Sequence, residues 1–364
     1  MNCINNHNYK FMKRLTLTFL GIITVAAAAF AQKPDKNELK QLKAFLSQPA
    51  AESPTNAEAL KITDLGNPAT WEGVKFENGH ITAIEWKDKK LAGTLDLKGF
   101  TALQKLDLSR NRIASVTLSS MPALSELNIQ RNVLTAANLS DMAALTKVNI
   151  YRNRLTELNF VNTPAIKQLN CSNNLFVELS LANSPTLETL NCQGCHLEAL
   201  DISGCVKLKN LYCGYNRLNA VTLAGVENLQ NLNVDDNEIS TMIVSGLPSL
   251  ATFICSDNNM KTLGMRNCGA LIDLVCSYND LTTLDVDNCP NLQYVDCSYN
   301  DLTDLSLSGF NFLQRLICNN NQLLMLDVAF DSQLTYINCR NNMISDLRTM
   351  GCDNLRMVAC QWDY

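Results

Sequence analysis

Apolar residues return along most of this chain at a fixed interval. Leu271, Leu274, Cys276, Asn279, Leu281, Leu284 and Val286 follow the spacing L-x-x-L-x-C-x-x-N-x-L-x-x-L-x-V. After 21 residues the same places hold Leu292, Val295, Cys297, Asn300, Leu302, Leu305 and Leu307. The register opens at Leu103 and runs without insertion through thirteen copies to Leu355, with Ile166 the one exception to Leu at position 1. A unit this short buries its apolar side only against its neighbours, so the pattern predicts a stack that grows by repetition.

Within each unit, period-two alternation predicts a short parallel strand at positions 3–8, with positions 3, 5, 7 and 8 facing outward. Thirteen such strands at ~4.8 Å spacing span about 60 Å. Positions 14–16, as in Leu200-Asp201-Ile202, read as a second extended segment on the convex side. The remaining residues leave little room for a convex helix, whose turns take 3.6 residues on a rod about 10 Å wide. Position 9 is Asn throughout except for Cys195 and Asp363. A buried amide at that place can bond the backbone of an adjacent turn, where an orphaned polar group costs roughly 1–3 kcal/mol.

On these residues the chain resembles the leucine-rich repeat family over about residues 71–364. The resemblance implies an α/β leucine-rich repeat solenoid: a right-handed, helix-poor arc of 21-residue repeats with a parallel sheet on its concave face. Trp71-Glu72-Gly73-Val74, Asn78-Gly79-His80-Ile81-Thr82-Ala83-Ile84 and Leu91-Ala92-Gly93-Thr94-Leu95 resemble the N-terminal cap of plant-type repeat proteins, without that cap's paired cysteines. Trp71 and Trp86 are expected to cover the open end of the stack. Upstream, residues 33–48 read as an amphipathic helix capped by Asp35 or Asn37 and stopped by Pro49, and residues 50–70 as loop. Trp362 and Tyr364 are expected to cover the far end, which could otherwise pair with another chain.

Residues 1–31 read as an export signal. Lys10, Lys13 and Arg14 precede an apolar run from Leu15 to Phe30, and Ala29-Phe30-Ala31 offers small residues for cleavage before Gln32. The organisation expected is therefore signal 1–31, cap 32–102 and solenoid 103–364, in a protein of the periplasm, the cell surface or the medium, with no membrane insertion after cleavage. A net charge of -5 argues against a nucleic-acid partner, which needs a basic footprint.

Fifteen cysteines in an exported chain would ordinarily suggest disulfides. Their register removes most of that signal. Nine of them, from Cys171 to Cys360, fall at position 6, where other units carry Leu108, Ile129, Ile150 and Val234. Cys205, Cys268, Cys289 and Cys352 fall at position 19, among Met121, Met142 and Val226. Cysteine here replaces aliphatic residues and is read as a small buried hydrophobe, with Cys268–Cys289 the first candidate were any pair bridged. The C-x-x-C of Cys192 and Cys195 falls out of the same register. It lacks the helix N-terminus of a redox site and the second ligand pair of a zinc site.

No catalytic constellation emerges. His80 and His196 stand in no triad or metal spacing, phosphate-binding glycine loops are absent, and Asp235-Asp236 reads as a solvated edge. The expectation is a non-enzymatic protein without cofactor or metal.

The outward positions are uneven along the stack. The first units carry Arg110, Arg131 and Arg152 at position 8, with Lys105 and Lys147 nearby, a basic ridge suited to an acidic partner. The middle carries Asp235, Asp236, Asp257 and Asp273. Later units set Tyr278, Tyr294, Tyr299 and Tyr336 around Ile254, Val275 and Ile317. Outward apolar residues framed by tyrosines are what an interface core needs. The candidate concave site is thus Ile254, Asp273, Val275, Tyr278, Tyr294, Tyr299, Ile317 and Tyr336. Exported bacterial proteins of this kind, internalin-like ones among them, are mostly recognition or adhesion modules, which makes a host or bacterial surface protein the leading partner. Two alternatives stay open: a glycan stacked on the tyrosines, and an assembly component that stacks through its C-terminal end.

Overall fold

The computed structural model describes residues 33–118, 120–182, 184–286 and 289–360. Residues 1–31, expected to be an export signal, and Trp362 and Tyr364, expected to cover the far end, lie outside the described residues. Each repeat contributes one three-residue strand, from Lys105–Asp107 to Met357–Ala359, to a 15-stranded sheet. The strands pair in parallel and in register, so that Asp273, Leu274 and Val275 face Tyr294, Val295 and Asp296 of the next unit. Short two- and three-stranded parallel sheets cover the opposite side, among them Glu178–Ser180 with Ala199–Asp201 and Thr241–Ser245 with Thr262–Arg266. No helix occurs in the described part of the repeats. The chain is therefore a helix-poor parallel solenoid of 21-residue turns. No described helix is long and apolar enough to cross a membrane.

Between the two sheets lies one continuous core. Leu271, Leu274, Cys276 and Leu281 are fully buried, as are their counterparts in neighbouring turns. The asparagine at position 9 closes each turn. Asn132 donates through Nδ2 to Leu108 O and Ile129 O, both at 3.0 Å, and accepts at Oδ1 from Ile113 N–H at 3.0 Å. Each rung thus ties its own strand end to the preceding turn and satisfies three backbone groups that the bend leaves unpaired. Cys195 keeps part of this role, with Sγ 3.3 Å from Cys171 O.

Helix α1 (Lys36–Leu46) forms where predicted, with Asp35 accepting from the backbone N–H groups of Asn37 and Glu38. Residues 50–70 differ from the expected loop: Thr55 caps a one-turn helix, α2 (Asn56–Ala59), and a 3-10 turn spans Pro68–Thr70. Asn56 explains the difference. Fully buried, its side chain bonds Phe45 O and both backbone groups of Ala92, locking the segment onto the first turn. Strands β1 (Val74–Glu77) and β2 (His80–Glu85) form an antiparallel hairpin, and β2 pairs in parallel with Lys105–Asp107. Trp71 and Trp86 are buried, and Trp86 stacks on Phe45 with centroids 6.0 Å apart. The apolar end of the stack is covered by packing.

The position-6 cysteines, Cys276 among them, are free thiols, all buried except the half-buried Cys360. Burial raises the thiol of Cys276 well above its usual range and that of Cys213 to about 12. Thiols so placed are weak nucleophiles at neutral pH.

Candidate interaction surface

The strands are shorter than the alternation suggests. They cover positions 3–5 only, and position 8 lies in the following turn. In the first twelve repeats the position-8 residue has positive φ, from +49° at Asp236 to +63° at Gly194. Arg110, Arg131, Arg152, Tyr278 and Tyr299 all adopt this left-handed conformation. The outward set therefore divides into two surfaces: a sheet face carrying positions 3 and 5, and a lateral edge carrying positions 8 and 10. Position 7 belongs to neither in the serine repeats. Ser277, expected outward, is buried, and its Oγ lies 3.0 Å from Ser256 Oγ.

On the sheet face, register brings together Asp273, Tyr294, Arg315 and Tyr336 in one row. Beside it run Ile254, Val275, Asp296 and Ile317. The three aliphatic residues are half-buried, and Asp296 interrupts their row. Position 5 ordinarily serves the turn that follows it. In Asn170, Asn191, Asn233 and Asp296 the side-chain Oδ1 accepts the N–H of position 7. Ile254, Val275 and Ile317 cannot make that bond. These repeats give up a turn-stabilising contact and present aliphatic surface instead.

The tyrosines are engaged with one another and with a cation. Tyr278 and Tyr299 stack at 4.2 Å and 9° while remaining 48% and 42% exposed. Their mutual hydrogen bonding raises the Tyr278 phenol above its usual pKa. The guanidinium of Arg315 lies 4.6 Å from the ring centroid of Tyr336. Burial raises Asp273 and Tyr294 above their ordinary ranges. Arg315 and Asp296 went unnoticed in the sequence; the 21-residue register, read across strands rather than down columns, places both among the apolar residues.

The N-terminal half of the face is polar. A groove of about 550 Å³ crosses the strands from Lys105 to Tyr212, floored by Asn128, Asn149, Asn170 and Asn191. Lys105 and Lys147 line this groove and pair with Glu85 and Glu126. They are thus separated from the basic ridge of Arg110, Arg131 and Arg152, which stands on the lateral edge. Arg131 and Arg152 flank the Tyr151 ring at 5.6 and 5.8 Å. Farther along, Asp235 is raised by burial, its carboxylate occupying space that a Cβ at Gly214 would fill. Among the described residues no group of three or more His, Cys, Asp or Glu could hold a metal ion.

No protein-family model matches the chain, and no curated protein matches it. Solved structures do. The chain is similar to YopM, a leucine-rich effector protein of Yersinia pestis, at 21% identity and a TM-score of 0.59, covering 72% of this chain and 78% of that one. It is similar to the internalin InlF of Listeria monocytogenes at 20% identity and a TM-score of 0.56, covering 91% and 96%. A leucine-rich repeat protein of Leptospira interrogans gives 20% identity and a TM-score of 0.52, covering 72% and 91%. With three-residue parallel strands at 21-residue spacing and an asparagine rung between turns, these neighbours show that the chain has the leucine-rich repeat fold.

Proposed function

We propose that this chain is a non-enzymatic, exported bacterial recognition protein that binds a protein partner on the concave face of its C-terminal half. The observation that carries the reading is the replacement of the position-5 Asn or Asp by Ile254, Val275 and Ile317 beside the row of Tyr294, Arg315 and Tyr336. A surface that exchanges a backbone-satisfying side chain for solvent-facing aliphatic area has a use for that area beyond folding. Arg315 and Tyr336 supply the residue types that dominate interface hot spots.

Tyrosine chemistry favours protein over glycan. Tyr278 and Tyr299 each give one ring face to the other, and Tyr336 gives one to Arg315, so three of the four rings have a face already occupied. Export rests on the basic, apolar and small-residue order of residues 10–31. The test is recovery of partners from host and bacterial extracts by the wild type and by an Ile254→Asp/Val275→Asp variant, alongside a glycan array. Selective loss of a partner with the variant supports the reading. Equal recovery rejects the patch, and glycan binding abolished by Tyr294→Ala/Tyr299→Ala transfers it to sugars.

A further inference from the structure

The lateral edge carries its own pattern, on a surface distinct from the sheet face. Its first three repeats present Arg110, Arg131, Arg152 and Arg154, all exposed. The seventh to ninth present Asp236, Glu238, Asp257 and Asp280, also exposed. None of these eight groups joins a salt bridge within the described chain. Arg131 and Arg152 are instead held against Tyr151, which fixes their guanidinium groups along the edge. One edge thus bears two unneutralised fields of opposite sign, at mirrored distances from the fifth repeat.

We propose that this edge is a two-fold interface between two copies of the chain, packed antiparallel. In such an interface a residue meets its counterpart's partner twice, so the surface must be complementary to itself under inversion of direction. An axis through Gly194 in the fifth repeat meets that condition. It sets Arg154 opposite Glu238, Arg152 opposite Asp236 and Arg131 opposite Asp257. Nearer the axis it sets Asn173 opposite Tyr215 and Leu175 opposite Arg217, so the charged pairs carry the contact. On the axis itself Gly194 removes the side chain that every other repeat carries at position 8 and permits close approach. From first to ninth repeat the edge runs about 38 Å at ~4.8 Å per strand. Glu178 and Ala199 belong to strands on the opposite side and lie off this edge.

A second copy fits better than an unrelated acidic protein or polyanion, because such a ligand would account for the arginines and leave the carboxylates unexplained. The experiment is sedimentation velocity on the purified chain over a wide dilution series at low and high salt, with circular dichroism as the folding control. The expected result is a monomer–dimer equilibrium weakened by salt. Arg131→Glu/Arg152→Glu, and separately Asp236→Arg/Asp257→Arg, are expected to raise the dissociation constant about tenfold or more. An equimolar mixture of the two variants should then form a one-to-one heterodimer, since each supplies the charge that the other lost. A wild type that stays monomeric at every concentration and low salt overturns the proposal. So does a dimer indifferent to salt and to both variants, or a mixture that remains two monomers. The salt series uses wild-type protein alone and decides the matter even where a variant does not fold.

Discussion

Tyr278 and Tyr299 occupy equivalent places in adjacent turns and stack face to face at 4.2 Å, each on a backbone with φ near +55°. Left-handed backbone costs an ordinary L-residue roughly 1–2 kcal/mol, and Asn tolerates it better. An exposed aromatic pair returns about 0.5–1.5 kcal/mol. Over both positions the backbone costs about 2–4 kcal/mol, of which Asn recovers only part, so replacing both rings trades a partial strain relief against a stacking loss of similar size. Tyr278→Asn/Tyr299→Asn is therefore expected to leave unfolding free energy within about 1 kcal/mol of wild type in denaturant titration. A loss of several kcal/mol would make the stack a structural pillar instead.

Asparagine rungs should behave in the opposite way. Asn279 donates to Cys255 O and Cys276 O and accepts from Met260 N–H. Asn279→Ala orphans these buried groups and is expected to cost about 3 kcal/mol, at roughly 1–3 kcal/mol for each such group. Cys195→Asn restores the one missing rung in the described stack. There an asparagine Oδ1 could accept from Phe176 N–H, as Asn174 and Asn216 do from Leu155 and Leu197. That change should stabilise by about 1 kcal/mol, measurable in the same titration.

The residues that specify the scaffold were the legible ones. Leu271, Leu274 and Asn279 are buried, as are their equivalents in all but the last turns, and burial constrains side-chain type tightly enough to leave a periodic trace. The left-handed turn at position 8 left only a faint trace, because Arg and Tyr fill it as often as the Asn, Asp and Gly that favour positive φ. That is why Arg110 and Tyr278 were expected on the sheet face and stand on the edge. Asp296 escaped notice for a related reason. It has a structural bond to Ser298 N–H and also stands between Val275 and Ile317, and only strand register reveals the second relationship. Asn56, which fastens α2, depends on contacts to Phe45 and Ala92 that no local pattern encodes.

Thiol accessibility separates core filling from redox chemistry. Burial holds Cys213 and Cys289 at about 12 and Cys255 higher still. Native protein is expected to react negligibly with a thiol reagent at neutral pH, whereas denatured, non-reduced protein should titrate nearly all its thiols. A low denatured count would reveal bridges and overturn the assignment.

Asp331 offers a pH test. It is fully buried at position 19, with Oδ1 accepting from Phe310 N–H at 2.7 Å and Oδ2 unpartnered, and burial pushes its carboxyl up to about 7. Above about pH 4 the unfolded chain releases this proton while the folded chain retains it. The unfolded state then binds fewer protons, so stability falls as pH rises from about 4 to about 7, by at most about 4 kcal/mol, and levels off beyond. Asp331→Asn keeps the acceptor and should flatten that part of the profile in thermal melts across pH. An unchanged slope would assign it to other groups.

Partner contact on the sheet face is tested most directly by site-specific photo-crosslinking. A photoreactive side chain would be placed at position 275, and in a parallel sample at position 243, where Ile243 is 75% exposed on the opposite side. Both would be incubated with the extract that yields a partner in the recovery experiment. A covalent adduct from position 275 and none from position 243 is the predicted result. Equal adducts from both positions, or an adduct from position 243 alone, would contradict recognition through the face built by Ile254, Val275 and Ile317.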